Sequence, residues 1–187
     1  MNLKLIKFKC VKSTNDVAIR YIKKGLLKPT IIVAEKQTNG RGTMGKKWMS
    51  LKGNLFFSIY FEISKSVINL KQFTRLNAFS IKKNLVKNID SKISIKWPND
   101  LMIKKQKVCG ILQETVTYKN FKFLIVGVGI NTNLSPSNIK GKATFLKKFS
   151  KKRVNNKKIL VDIKKTYEKF IDEINIYRYS YLRKKFK

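Results

Sequence analysis

The stretch VCGILQETVTYKNFKFLIVGVGI, residues 108–130, contains two apolar runs separated by a short polar break. Both runs, 108–117 and 121–130, are rich in the β-branched and aromatic residues that favour strands. Residues 118–120 join them, so the pattern predicts a β-hairpin.

Three further strands are predicted upstream of this hairpin, at residues 30–35 (TIIVAE), 54–61 (NLFFSIYF) and 93–97 (ISIKW). The first two are separated by residues 36–53, which are polar and contain glycines. This connection is too long for a hairpin turn, and loops of that length are usually functional or mobile.

Apolar residues recur at helical spacing in three other segments. Ser13 is a suitable N-cap for the first predicted helix, and Gly25 is placed to end it. A second helix is expected at residues 70–86. The apolar face of a third is formed by Leu160, Ile163, Tyr167, Phe170, Ile171 and Ile174. The chain is therefore expected to mix helices and strands.

Composition limits the classes of protein to consider. A chain of 187 residues builds about one domain, and 43% hydrophobic residues suffice for a sizeable core. No apolar run reaches the roughly 18 residues of a membrane span, and the N-terminus lacks the apolar segment of a secretory signal. We expect a cytoplasmic protein without membrane association, in which Cys10 and Cys109 are both small buried hydrophobes.

The net charge of +33 suggests a surface that binds nucleic acid through its phosphates. Only six of the 43 basic residues are arginine, however, and the lysines are scattered along the chain. Nucleic-acid readers favour arginine for its bidentate fork. An excess of Lys, Asn, Ile and Phe is also expected of a protein encoded by an AT-rich genome, at surface positions that tolerate many residues. We favour that explanation.

The long loop carries the first chemical signal, GRGTMGKKW at residues 40–48. Glycines let the backbone approach a ligand and turn its N–H groups towards an anion, while Arg41, Lys46 and Lys47 add positive charge. The loop lacks the Gly-Lys-Ser/Thr ending of a P-loop. Taken alone, it fits a basic surface turn as well as a nucleotide or acyl-phosphate site.

Two shorter motifs follow. In KWPND, residues 96–100, Pro98 is expected to halt a strand and direct Asn99 and Asp100 into a turn. Taken alone, this motif is better explained as an Asx turn without a ligand. In KVCGIL, residues 107–112, Lys107 precedes an otherwise apolar strand. It is either a point charge aimed at an anionic group or one more solvated lysine.

Taken together and in order, these motifs make the chain resemble the catalytic domain of biotin protein ligases along nearly its whole length. The matching pieces are Ser13-Thr14-Asn15, Glu35 with Gln37, the Gly40-Arg41-Gly42 loop ending in Trp48, Lys96 to Asp100, Lys107 to Leu112, and Gly127 to Asn131. Each piece is modest, but the ordered set is specific.

The resemblance implies an α+β fold in which helices flank a mixed, largely antiparallel sheet, related to lipoate ligases and class II aminoacyl-tRNA synthetases. It implies one catalytic domain over residues 1–187, without the N-terminal DNA-binding domain or the C-terminal β domain of other members. It also implies two half-reactions. Biotin and ATP, with Mg²⁺, give biotinoyl-AMP and pyrophosphate, and a lysine of the biotin carboxyl carrier protein of acetyl-CoA carboxylase then displaces AMP.

The resemblance also implies residue roles. Lys107 and Arg41 are the expected catalytic cations, which act by placed charge, so no histidine, metal ligand or nucleophilic side chain is required. The residues expected to bind biotin and its adenylate are Ser13, Thr14, Asn15, Gln37, Arg41, Gly42, Thr43 and Lys107. Asn99 and Asn131 are expected on the nucleotide side.

One departure from the family pattern concerns the loop. Bacterial relatives often read Gly-Arg-Gly-Arg-Arg-Gly, whereas this chain has Thr43 and Met44 in place of the two further arginines. We therefore hypothesise a weaker hold on biotinoyl-AMP and some leakage of it.

Two alternative functions are kept. A lipoate or octanoate ligase would share the fold and the adenylation chemistry, although the motifs favour biotin. A non-catalytic nucleic-acid-binding module would need clustered arginines or stacking aromatics. We expect the acceptor carrier protein as the partner and no specific DNA binding, and the sequence leaves both a monomer and a homodimer open.

Overall fold

The framework of the molecule is a seven-stranded sheet in the computed structural model, which describes residues 2–137 and 141–187. In chain order the strands are β1 (Lys4–Val11), β2 (Thr30–Gln37), β3 (Leu55–Glu62), β4 (Ser94–Lys96), β5 (Asp100–Ile103), β6 (Gln106–Tyr118) and β7 (Phe121–Ile130). Their order across the sheet is β1-β2-β3-β7-β6-β5-β4. β1 pairs with β2 in parallel, and the other neighbouring pairs are antiparallel. The predicted mixed, largely antiparallel sheet is confirmed.

Helices cover both faces of this sheet. They are α1 (Thr14–Lys23), α2 (Leu70–Leu85), α3 (Asn156–Glu173) and α4 (Tyr179–Phe186). The faces differ because successive strand side chains point to opposite sides. Phe57, Ile59 and Phe61 of β3 belong to the large core beneath α2, α3 and α4, whereas Tyr60 belongs to a smaller core beneath α1.

The large core is centred on aromatic contacts. The Phe170 ring of α3 meets Phe61 of β3 and Phe73 of α2 edge to face, with ring centroids 6.1 and 6.2 Å apart. A fully buried phenylalanine contributes about 1.5–3 kcal/mol through the apolar area removed from water. These contacts fix α2 and α3 on one face and leave α1 alone on the other.

Most predicted elements are found within two residues of their expected ends, and residues 121–130 match β7 fully. The predicted three-residue hairpin connection is shorter, because Tyr118 pairs with Phe121 and only Lys119 and Asn120 form the turn. Asp100 does not lie in the turn after Pro98 but begins β5. Two elements had no sequence prediction, namely β1 and β5.

The two cysteines differ in burial. Cys109 is buried, as predicted. Cys10 is exposed, so its prediction as a buried hydrophobe is wrong. The reason is its place on β1, which forms one edge of the sheet and is only partly covered.

Within the described ranges, none of the helices is both long and apolar enough to cross a bilayer.

Candidate active site

Three glycines in neighbouring strands form the floor of a cleft. Gly110 of β6 pairs with Gly129 of β7, and Gly127 lies two residues away. A Cβ on Gly127 would lie 2.2 Å from Asn15 Oδ1, and one on Gly129 would lie 2.3 Å from Cε2 of Trp48. A side chain at Gly127 would therefore collide with Asn15, and one at Gly129 would collide with Trp48. The start of α1 and the Trp48 ring therefore rest directly on the sheet backbone.

The start of α1 supplies one wall of the cleft. Ser13, Thr14 and Asn15 are all buried. Ser13 is at the N-cap, as predicted, but its side chain makes no capping hydrogen bond and lines the cleft instead. Its hydroxyl is therefore available to a ligand.

Gln37 at the end of β2 ties this wall to the long loop. Its Oε1 accepts hydrogen bonds from the backbone N–H and Oγ1 of Thr14, at 2.8 and 3.1 Å. Its Nε2 donates to Ser50 Oγ at 3.0 Å. Beneath it, Ser58 Oγ of β3 lies 2.5 Å from Asn15 Oδ1 and 2.7 Å from Thr14 Oγ1. These contacts fix the polar groups at this end of the cleft.

Loop 38–54 covers the cleft. The backbone N–H of Trp48 donates to the Gly40 carbonyl at 2.8 Å, which folds the loop back on itself. Met44 is at the tip with a φ of 55° and 93% exposure. The indole Nε1–H of Trp48 is buried and has no acceptor in the described residues. In this closed position the ring lies directly on the backbone of Gly110 and Gly129, and the slot that it would leave on lifting has the ring as its roof and these glycines as its floor.

Arg41 is held by two carboxylates. Its guanidinium donates to Glu114 of β6 in a bidentate pair, at 2.8 Å from Nη1 and 2.6 Å from Nη2. Nη2 also lies 2.9 Å from Asp16 Oδ1 of α1. The hydrogen bonds to Glu114, more than the charge of Asp16, raise the pKa of Arg41. Arg41 is therefore a permanent cation whose visible partners are protein carboxylates.

Lys107 is at the end of the slot away from α1. Its Nζ lies 2.6 Å from Asp100 Oδ1 and 5.4 Å from the centroid of the Trp48 ring. Burial raises the pKa of the neighbouring Cys109 thiol well above its ordinary range. Cys109 is therefore protonated near neutral pH and is no nucleophile. The group that this end of the cleft offers to a ligand is therefore the positioned Lys107 ammonium.

The two predicted nucleotide residues are placed differently. Asn99 lines the cleft and is anchored to β6, because its Nδ2 donates to the Ile111 carbonyl at 2.8 Å. Asn131 is buried beyond the end of β7 and does not line this cleft, and its Oδ1 is 3.4 Å from Asn54 Nδ2. Gly42 and Thr43 both line the cleft.

The cleft is nearly closed. The space between its walls measures about 440 Å³ when the open mouth is included. Only about 40 Å³ of that space is wide enough to accept the centre of a water molecule. That is room for a few waters, whereas small-molecule sites usually measure about 300–1,000 Å³. Loop 38–54 must therefore move for a ligand to enter.

The structure thus gathers around one cleft Ser13, Thr14, Asn15, Gln37, Arg41, Gly42, Thr43, Asn99 and Lys107. Sequence reasoning missed Asp16, Ser58 and Glu114. Ser58 interrupts an apolar strand, and Glu114 is the acid of another, in a chain with only ten acidic residues. Those interruptions are the signals that could have found them.

Within the residues that the structure describes, no three His, Cys, Asp or Glu side chains converge as a metal site.

The contact between Gly129 and Trp48 gives a testable expectation. Gly129→Ala should destabilise the protein by about 1–3 kcal/mol, because the added methyl group has to displace the indole ring. In Trp48→Ala the ring is gone, so adding Gly129→Ala to it should cost little more. Urea denaturation of the two single variants and the double variant measures this coupling. Equal costs of Gly129→Ala in both backgrounds would contradict the contact.

Comparisons with known proteins agree with this geometry. Residues 7–131 match the model of the biotin/lipoate A/B protein ligase family. The bifunctional ligase/repressor BirA of Bacillus spizizenii is 30% identical over 175 residues, covering 90% of this chain and 54% of that protein. The biotin--[acetyl-CoA-carboxylase] ligase of Paracoccus denitrificans is 28% identical over 127 residues, covering 66% of this chain and 52% of that protein. The chain thus spans about half the length of these relatives.

A solved structure extends the comparison to three dimensions. The biotin protein ligase from Aquifex aeolicus in complex with biotin and ATP superposes with a TM-score of 0.82 and 31% identity. The match covers 98% of this chain and 77% of that one. On the family model, the sequence relatives and the shared fold, the chain belongs to the biotin/lipoate A/B protein ligase family.

Proposed function

We propose that the chain is the catalytic domain of a biotin protein ligase, which activates biotin with ATP and transfers it to a lysine of an acceptor protein. The observation that carries this proposal is the order of groups along the cleft. Hydrogen-bonding side chains from α1 and Gln37 come first, the slot between Trp48 and the glycines follows, and Lys107 comes last.

That order matches the chemistry of biotin. The ureido head offers two N–H donors and one carbonyl acceptor, which suit the hydroxyl and amide groups of Ser13, Thr14, Asn15 and Gln37. The thin apolar middle of the molecule fits between an indole ring and a glycine floor. The carboxylate would then meet the Lys107 ammonium.

The reaction needs positioning and charge more than a reactive side chain. The biotin carboxylate oxygen attacks the α-phosphorus of ATP, and pyrophosphate leaves. The acceptor amine then attacks the acyl carbon, loses a proton and releases AMP. We assign Lys107 to hold the carboxylate and stabilise the charge as it meets the phosphate. Asp100 fixes the Lys107 side chain from below.

Arg41 is proposed as the second cation, with Gly42 and Thr43 beside it at the cleft. Glu114 and Asp16 contact Nη1 and Nη2 of its guanidinium, and the buried Nε–H has no partner among the described residues, so Nε–H is the donor left for a phosphate oxygen. We propose that Asn99 shapes the nucleotide side and that Asn131 supports it from behind. Mg²⁺ would arrive with ATP, held mainly by the phosphates.

The acceptor is proposed to be the biotin carboxyl carrier protein of acetyl-CoA carboxylase. The name of the Paracoccus relative supports this assignment, since that enzyme acts on acetyl-CoA carboxylase. Lipoate is the competing substrate. Its dithiolane ring offers no N–H or carbonyl group, so it would leave the Ser13 hydroxyl, which makes no capping hydrogen bond, without the partner that the ureido head provides.

Substrate choice is tested by ATP-dependent pyrophosphate release with biotin, lipoate or no acid, followed by mass spectrometry of a biotin carrier domain. We expect release with biotin alone and one biotin added to the carrier. Lys107→Gln should lower the rate by about 10²–10³-fold, the usual effect of removing one charge-stabilising group. Lys105→Gln, a matched loss of charge outside the cleft, should be near normal. Release with lipoate only would overturn the assignment to biotin.

The loop departure gives a second expectation. Thr43 lines the cleft without a cationic side chain, so the wild-type protein should release biotinoyl-AMP during turnover without acceptor. Thr43→Arg should reduce that release, because a guanidinium can hold the phosphate. Chromatography of the reaction mixture measures the free adenylate. Its absence with the wild-type protein would contradict the leak.

A further inference from the structure

We propose that Glu114 is a positioning residue of this site, which holds loop 38–54 closed through Arg41 and orients Asn15 at the biotin end. The inference rests on the proposed function for its kinetic consequences. The prediction about the closed position of loop 38–54 does not depend on the substrate, because it is based on contacts within the chain.

Three hydrogen bonds converge on the Glu114 carboxylate. Arg41 donates two of them in the bidentate pair, and Asn15 Nδ2 donates the third to Oε2 at 2.7 Å. The side chain of Glu114 is 24% exposed, so water screens these bonds only in part. Bidentate pairs between arginine and carboxylate are among the stronger and more directional polar contacts in proteins.

The scarcity of acidic residues makes this arrangement informative. The chain has ten acidic residues against 43 basic ones. Three of the ten, Asp16, Asp100 and Glu114, contact the two site cations Arg41 and Lys107. A composition that scatters lysines over the surface does not explain carboxylates concentrated at one cleft. Their placement indicates a requirement of the site.

Glu114 of β6 connects two walls of the cleft, the start of α1 and loop 38–54. Loop 38–54 is attached near its start through Arg41 and near its end through the Gln37–Ser50 hydrogen bond. The cleft beneath is too small for a ligand, so the loop has to open and close again in each catalytic cycle. The pair with Glu114 defines the closed position, in which Trp48 covers the slot.

The same carboxylate sets the orientation of Asn15. With Nδ2 directed to Glu114, Asn15 Oδ1 faces Ser58 and the β7 backbone at Gly127. Without Glu114 only the Ser58 hydroxyl holds the amide, and a hydroxyl can donate or accept, so the orientation of Asn15 is less well defined. Loss of Glu114 should therefore weaken biotin binding more than it slows the chemical step.

The test uses Glu114→Gln, which keeps a side-chain oxygen for Asn15 and removes the charge that holds Arg41. The matched control is Glu62→Gln, the same change at the far end of β3, outside the cleft. Hydrogen exchange of peptides within 38–54 should become at least about tenfold faster in Glu114→Gln, the effect expected for loss of one charge-assisted hydrogen bond. Exchange in β6 and β7, and the unfolding midpoint, should stay close to those of the control.

Kinetics provide the second readout. In Glu114→Gln the KM for biotin should rise by about tenfold or more while kcat changes by less than about threefold. Because Glu114→Gln still offers Asn15 a side-chain oxygen, its effect passes through Arg41 and the loop, so adding it to Arg41→Gln should cost little beyond the single change.

Each outcome decides the proposal. Unchanged loop exchange in Glu114→Gln, or additive effects in the double variant, would overturn it. Faster loop exchange in a protein that shows no reaction with biotin would support the positioning role and refute the proposed substrate, so the two failures are distinguishable.

Discussion

The absence of side chains at Gly110, Gly127 and Gly129 is the constraint on which the site depends. These glycines lie where β6 and β7 pair, at the middle of the sheet. Because they present only backbone, the start of α1 and the ring of Trp48 can approach the sheet from above. The rigid hairpin serves as a floor, and the adjustable parts of the site are confined to α1 and loop 38–54.

Charge is distributed unevenly over this framework. The large excess of lysine fits a compositional bias better than one binding surface, because the basic residues are spread along the chain. The carboxylates behave differently, since Asp16, Asp100 and Glu114 gather around Arg41 and Lys107. An isolated cation in a half-closed cleft would attract any small anion. Pairing with carboxylates keeps these cations oriented.

Local patterns were sufficient to predict most of the fold. The hairpin of β6 and β7 followed from two apolar runs, and α1 from apolar residues at helical spacing between Ser13 and Gly25. β1 alternates apolar residues with lysine, the pattern of a strand covered on one face only, so its sequence does contain a signal for the edge strand, and Cys10 lies at one of its exposed positions. β5 escaped prediction because its four residues, Asp100 to Ile103, are too few for a periodic pattern.

The site was predictable only in part, for a related reason. The motifs around Thr14, Arg41 and Lys107 are each contiguous in sequence, and the structure brings them to one cleft. The acidic interruption of β6 marks Glu114 itself, but its partners Asn15 and Arg41 lie 99 and 73 positions earlier in the chain, and local patterns do not predict such contacts. The closed position of loop 38–54 depends on that contact, so it can be recognised only in the three-dimensional structure.

The central claim is that the slot beneath Trp48 receives biotin. The chain has two tryptophans, so Trp97→Phe leaves Trp48 as the single fluorescent indole. Titration of this variant with biotin and with lipoate, without ATP, measures occupation of the slot directly. The account predicts a saturable change in Trp48 emission with biotin at a stoichiometry of one and no change with lipoate. An emission that ignores biotin, or responds equally to both acids, would contradict it.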